Sequence, residues 1–309
     1  MAKFKHAQTD FTKEMLPSTR KEVFFDILKN HFGKICTLAL IMFVFALPIN
    51  VSAISADFYQ ASLIQSYQAG TISAEELTGQ LLSFTNTRGL VEILFFVLLG
   101  IGFSAVARVI RQFCWEENVW LKYDLVKGLQ QNWLQYALLG LAVGIVRFGC
   151  AYMLNNMRTE GLFGYIRVIP TVLAVLLLAP MAAYASVTLC TYSSGLIKNL
   201  KVGFVLYIKY PLHTLGMIIA CFAIYAVQLI PNIYCHIIGR IVSSLIIPIV
   251  MFVWFLYTYN RLDKSINPKM FPELVDKGLL GKGKGTLDES EETPTQNEVV
   301  DQGTSNNEK

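Results

Sequence analysis

The sequence predicts an all-α polytopic membrane helix bundle with about six transmembrane helices and inner-surface amphipathic helices. Three observations carry that reading. Hydrophobic residues make up 54% of the 309-residue chain and charged residues 16%, against about 25% charged in an average soluble domain. Mean hydropathy is +0.46. The apolar residues also fall in repeated continuous runs of about 20, the length a helix needs to cross a hydrocarbon core of about 30 Å. Continuous runs exclude a β-barrel, whose strands alternate. They must be helical, because lipid cannot satisfy backbone amides.

Taken in order, residues 1–34 form a polar leader with Lys3, Lys5, Lys13, Arg20, Lys21, Lys29 and Lys34, ending in an amphipathic stretch from Phe24. Span one, 35–54, has no small-residue cleavage site after it and reads as retained. A long loop with Asp57, Glu75 and Glu76 leads to span two, 90–110. Next comes WEENVWLKYDLVKGLQQNW, Trp115 to Trp133, between two greasy runs. Its Val119, Trp120, Tyr123, Val126, Leu129 and Trp133 recur at three and four, a helical stripe opposite Glu116, Glu117, Lys122, Lys127, Gln130 and Gln131. With Trp and Tyr at headgroup level, this predicts a helix lying on the inner membrane surface before turning into span three, 134–154. Span four is 168–189; a further amphipathic stretch, 194–216, precedes span five, 212–230, and span six is 241–259. Residues 35–260 thus form one six-helix domain, 261–285 a juxtamembrane segment, and 286–309, acidic and without aromatics, a disordered tail.

Basic residues fix the orientation. Besides the leader, Arg111, Lys122, Lys127, Lys198, Lys201 and Lys209 fall after spans two and four, which places both termini in the cytoplasm. A net charge of +4 distributed beside apolar runs is not a nucleic-acid footprint. The six cysteines include no C-x-x-C, so neither a disulfide framework nor a metal site follows.

DILKN, DLVKG and GLIKN, starting at Asp26, Asp124 and Gly195, suggest three units of surface helix plus transmembrane hairpin. The N-terminal FFDILKNHFGKICTLALIMFVFALPIN and the later VIRQFCWEENVWLKYDLVKGLQQNWLQYALLG resemble the bacterial YesL-like membrane proteins, whose function is unassigned. Phe24, Phe25, Leu28, Phe32, Lys34, Leu47 and Pro48 fit the family's opening segment. Asp124, Lys127, Asn132, Trp133 and Gln135 fit its aromatic-rich helix before the third span. The resemblance covers residues 20–280. It implies a bacterial cytoplasmic-membrane protein with an accessory role in carbohydrate uptake or utilisation, with a carbohydrate ABC transporter or another membrane protein as partner. It brings no catalytic residues or cofactor. The long loop after span one and the acidic tail depart from the family pattern.

Glu92 and Arg147 are the ionisable groups nearest membrane depth, placed in the outer halves of spans two and three. They read as an intramembrane ion pair or as markers of a pathway; exchanging the two charges preserves fold and function if the pair is only structural. Arg158, Arg167 and Arg240, with His236 and Arg147, form either a cationic outer mouth suited to an acidic sugar or ordinary interfacial anchors. Gly140, Gly144 and Gly149, with Gly100 and Ser104, predict close packing, inside the bundle or between copies. Pro180 and Pro248 look interior and predict kinks. GLLGKGKGT, Gly278 to Thr286, nearly spells a P-loop, but Gly285 replaces the Mg²⁺-binding hydroxyl. G-x-S-x-G and H-E-x-x-H are absent, and His6, His31, His213 and His236 are dispersed. The expected function is therefore a non-enzymatic accessory or regulatory protein, with Trp115, Trp120, Tyr123, Lys127 and Trp133 as its partner or membrane surface. The alternative is a small sugar or ion transporter with Glu92, Arg147 and Gln228 lining a path.

Overall fold

The computed structural model describes residues 17–156, 161–192, 194–230 and 232–280. The expectations for Arg158, for the first 16 residues and for the tail from 281 lie outside them.

The described chain is helical throughout, without a strand. It runs α1 (Arg20–Asn30), α2 (Phe32–Gln68), α3 (Ala74–Cys114), α4 (Leu121–Asn156), α5 (Ile169–Leu173), α6 (Ala179–Thr191), α7 (Leu196–Lys209), α8 (Pro211–Phe222), α9 (Ile233–Leu245), α10 (Ile247–Ser265) and α11 (Asn267–Met270). A five-residue π segment, Ala174–Leu178, joins α5 to α6, whose second residue is Pro180. Pro248 sits just after the α9–α10 break, where the two helices meet at 50°. Five helical segments are long and apolar enough to cross a membrane, or six if the bent pair α9–α10 counts as one.

Two expectations are corrected. The long loop after span one is helical. α2 continues through Pro48 for 37 residues and α3 begins at Ala74 and runs for 41, with a tight turn between them. Gly70 provides the left-handed residue of that turn (φ 72°). Ser73 then caps α3, its hydroxyl accepting from Glu76 N–H while the Glu76 carboxylate accepts from Ser73 N–H. At 1.5 Å per residue α3 is about 60 Å long, roughly twice a hydrocarbon core, so the hairpin extends well past the apolar windows that mark the spans.

The second correction concerns residues 115–133. They are not one surface helix that turns into span three. Trp115–Trp120 form a connector, and α4 runs unbroken from Leu121 to Asn156. No proline falls between Leu121 and Asn156, so nothing forces the ladder to break. The first and third amphipathic stretches are separate helices. α1 ends at Asn30, with His31 as its C-cap, and α7 ends at Lys209, with Tyr210 as its C-cap just before Pro211.

α3 and α4 form the most extensive pairing, and their small residues set its distance. A side chain on Gly144 would press on Ile93, one on Gly140 would overlap the Phe96 carbonyl, and one on Gly100 the Tyr136 carbonyl; Gly128 lies against the Ser104 and Ala105 carbonyls. The small-residue motif is thus used within the chain, except at Gly149, which faces open space. α7 repeats the device on a smaller scale, with Gly203 against the Met181 carbonyl of α6.

At the end of the bundle that carries α1, Arg20 ties four segments together. Its guanidinium donates to the carbonyls of Cys114 and Lys277, each at 2.8 Å, and pairs with Asp263 at 3.0 Å. Asn267 donates to the same Asp263, and the Tyr192 hydroxyl donates to Asn267. Residues 271–280 then cross this end as a strap. Leu280 N–H donates to the Pro17 carbonyl, and Gly278 (φ 82°) lies so close to the Trp115 backbone that a Cβ would sit 2.6 Å from it.

Replacing Gly140 with Ala is expected to lower stability by about 1–3 kcal/mol, the range for overpacking a close contact, whereas Gly149→Ala is expected to be close to neutral. Thermal unfolding in a neutral detergent measures both.

Candidate functional site

Glu92 lies on α3 about 33 Å along the helix from Cys114, by the rise per residue, and is therefore at the end far from Arg20. It is fully buried and binds three groups. Arg147 on α4 pairs with one carboxylate oxygen, Arg88 donates to the other at 2.6 Å, and Ser52 on α2 donates to that same oxygen at 3.1 Å. Arg88 reaches Glu92 because residues four apart share a helix face; Arg147 reaches it because the glycine seam brings α4 close. Arg147 also lies over the Phe96 ring at 5.5 Å. Asn86 and Asn156 exchange amide hydrogen bonds at 3.1 and 3.0 Å and tie α3 to α4 beside the cluster.

Arg88 changes the meaning of the charge exchange considered above. With arginine at 92 and glutamate at 147, Arg88 and the new arginine would face each other at i,i+4, so the exchange cannot be silent even if the role is structural.

Of the expected outer-mouth residues, Arg240 and His236 are paired away from Arg147. Arg240 and His236 on α9 lie 3.6 and 3.4 Å from Asp57 on α2, while Arg167 donates to the Leu154 carbonyl. Gln228 donates to Ser243 on α9, so its recorded partner is neither Glu92 nor Arg147. Asn50 on α2 donates to Ser244 at 2.7 Å, a third polar tie of α2 to its neighbours. The larger cavity, about 490 Å³, lies among α3, α4, α6, α8 and α10 and is almost wholly apolar. Three of the polar groups in its wall are bonded within the fold, since Tyr136 donates to the Ser186 carbonyl and Trp254 and Ser186 both donate to the Ala183 carbonyl; Tyr225 also lines it. Such a wall offers an ion few groups to replace its hydration.

At the α1 end, the expected aromatic surface divides. Trp120, Tyr123, Val126 and Trp133 are exposed, Trp120 at 75%, and Lys127 donates to the Tyr123 hydroxyl at 3.0 Å while lying over its ring. Trp115 does not belong with them. It is buried against Tyr259 between two cations, Lys277 at 4.1 Å and Arg111 at 4.9 Å. It ends α3 rather than lying on α4, so the helical stripe never included it. Asp124, drawn into the family resemblance by sequence, is buried too. It accepts from Gln112 and from Trp120 N–H, which closes the first turn of α4.

Glu116 is the strained residue of the connector. Its φ of 52° is left-handed, and one carboxylate oxygen is buried without a hydrogen-bond partner. Burial, with a smaller contribution from Asp26, pushes its pKa from an ordinary 4.5 up to about 7. At the α1–α2 junction, burial first and Lys34 second lower the pKa of His31, which stacks on Phe113.

Among the described residues no group of three or more His, Cys, Asp or Glu side chains could hold a metal ion. Compared with protein-family models, characterised proteins and solved structures, the chain matches none. Sequence reasoning missed Arg88 and Arg20. The i,i+4 spacing of Arg88 and Glu92 was a usable signal; nothing local pointed to Arg20, whose partners lie 94, 243 and 257 residues away.

Glu92→Ala is expected to destabilise by about 3 kcal/mol, because it leaves two guanidiniums without their carboxylate. Arg147→Gln should cost less, about 1 kcal/mol, since Arg88 still neutralises Glu92; denaturant unfolding in detergent compares them. For Glu116 the raised folded-state pKa means that the folded protein holds the proton more tightly. Stability therefore falls as pH rises from about 4.5 through 7. Glu116→Gln is expected to match the parent near pH 4 and exceed it at pH 8, as read from melting temperatures across that range.

Proposed function

We propose that this chain is a non-enzymatic accessory or regulatory protein of a bacterial cytoplasmic membrane, oriented with α1 and the strap on the cytoplasmic side. The observation that carries the reading is the exposed face of Trp120, Tyr123, Val126 and Trp133, with the half-buried Lys127 among them, on and beside α4. Large aromatics with a basic residue among them suit protein contact and headgroup contact alike. In the proposed orientation that face lies at the inner membrane boundary, where a membrane or cytoplasmic partner can reach it. The resemblance of residues 20–280 to YesL-like proteins supports a partner connected with carbohydrate uptake, such as a transporter subunit.

What supports the accessory reading over a transporter is the closure of the polar groups that a path would need. Glu92 is held by two arginines and a serine, Asp57 faces Arg240 and His236, and the large cavity is apolar. The basic residues nearby, Lys198 and Lys201 on α7 and Arg108 on α3, agree with the orientation by the positive-inside rule.

The test is affinity purification from native membranes with the intact chain and with a Trp120→Ala, Tyr123→Ala, Lys127→Ala variant. Trp115 is left untouched, because it supports the connector. A transporter or regulatory subunit retained by the intact chain and lost from the folded variant is the expected outcome. Recovery of the same partner by both, or of none by either, would remove the docking role from this face.

A further inference from the structure

The recess beside Glu92 carries more positive charge than its own carboxylate neutralises. Arg88 on α3 and Arg147 on α4 both pair with Glu92, and one carboxylate between two guanidiniums leaves a net charge of +1. The recess between them has a volume of about 60 Å³, above the roughly 10–15 Å³ that one water requires. Thr85, Asn86, Tyr152 and Asn155 add polar groups to its wall. Arg88 uses its Nε on Glu92 and Arg147 one Nη, which leaves the remaining donors of each five-donor fork available. The Arg147 side chain is 46% exposed, so the recess opens outward at its head.

We propose that this recess binds the phosphate of a singly charged phosphodiester, the group carried by a lipid headgroup, between the free edges of Arg88 and Arg147. The charge match is direct, since a monoanion neutralises the residual +1 without displacing Glu92. Guanidinium forks suit phosphate oxygens because they offer paired, planar donors. Glu92 has the opposite effect: its charge, paired with both arginines, limits their attraction for the anion. The position also fits a headgroup, because Glu92 and Arg88 lie where the apolar window of α3 gives way to its polar extension. The site is independent of any partner at the α1 end.

The test uses the full chain, stripped of lipid in a neutral maltoside detergent, with the melting midpoint followed against added probe. The probes are dioctanoyl phosphatidylglycerol, dioctanoylglycerol, which lacks the phosphate, and inorganic phosphate against chloride at equal ionic strength. Phosphatidylglycerol is expected to stabilise the chain and dioctanoylglycerol not to. Arg147→Gln is expected to raise the half-saturating concentration roughly tenfold or more, the value of a charge-assisted hydrogen-bond pair. Glu92→Gln is expected to lower it, and Arg88→Gln, which leaves Glu92 paired with Arg147, is expected to raise it, which keeps the test decisive should Arg147→Gln fold poorly. A response to inorganic phosphate as large as that to the lipid retains the phosphate site and assigns it to a soluble anion; a response to the lipid alone assigns it to the headgroup. An equal shift with dioctanoylglycerol, an unchanged response in Arg147→Gln, or weaker binding in Glu92→Gln would overturn the proposal.

Discussion

The close approach of α3 and α4 is the constraint on which the rest of this structure depends. Gly128, Gly140 and Gly144 on one helix and Gly100 on the other remove the side chains that would hold the two backbones apart. In a lipid environment, where burying apolar surface between helices brings little hydrophobic gain, close van der Waals contact is a main source of association. The seam runs most of the length of both helices. It sets the register that brings Arg147 to Glu92 at one end and fixes how the first turns of α4 meet α3 at the other.

That register explains why the two ends differ. At the far end, polar groups are drawn inward and paired across helices: Ser52 of α2 with Glu92, and Asp57 of α2 with Arg240 and His236 by charge alone, without a hydrogen bond. Each buried charge has a partner, as the low dielectric of the interior demands. At the α1 end, one buried arginine does the corresponding work for the chain termini of the described region. By accepting Arg20, the last carbonyl of α3 is satisfied, and the strap is held by the same guanidinium. Lys277 then reaches past it to Glu117 at 2.8 Å and over Trp115. The connector between α3 and α4 is therefore clamped although Glu116 within it is strained and incompletely satisfied.

The sequence motifs acquire different meanings in this setting. DLVKG and GLIKN both begin helices that lean on the preceding span, yet Gly128 and Asn199 are buried while Asn30 of DILKN is exposed. The shared pattern belongs to amphipathic helices that meet a bundle, and it does not specify a common contact. The first glycine of the near P-loop, Gly278, is likewise used in packing, since it lies against the backbone of Trp115 where a side chain would not fit.

Composition and run length alone determined that the chain is a helical bundle with about six segments able to cross a membrane, against five or six in the structure, because a membrane imposes a fixed apolar length on any helix that spans it. The small-residue spacing on α4 was legible for the same local reason. The sequence did not determine that residues 51–90 are mostly helix, since polar helical extensions and loops share a composition. Trp115 was grouped with the expected partner surface because a stretch of sequence does not show where one helix ends and the next begins. Glu92 and Arg147 were legible as a candidate pair and Arg88 could have been found from its i,i+4 spacing, but the closing of the Glu92–Arg147 pair, the separate Asp57 cluster and the long-range clasp of Arg20 were decided only by tertiary structure. These pairings join residues far apart in the chain, and only the packed register of the helices brings them within hydrogen-bonding reach.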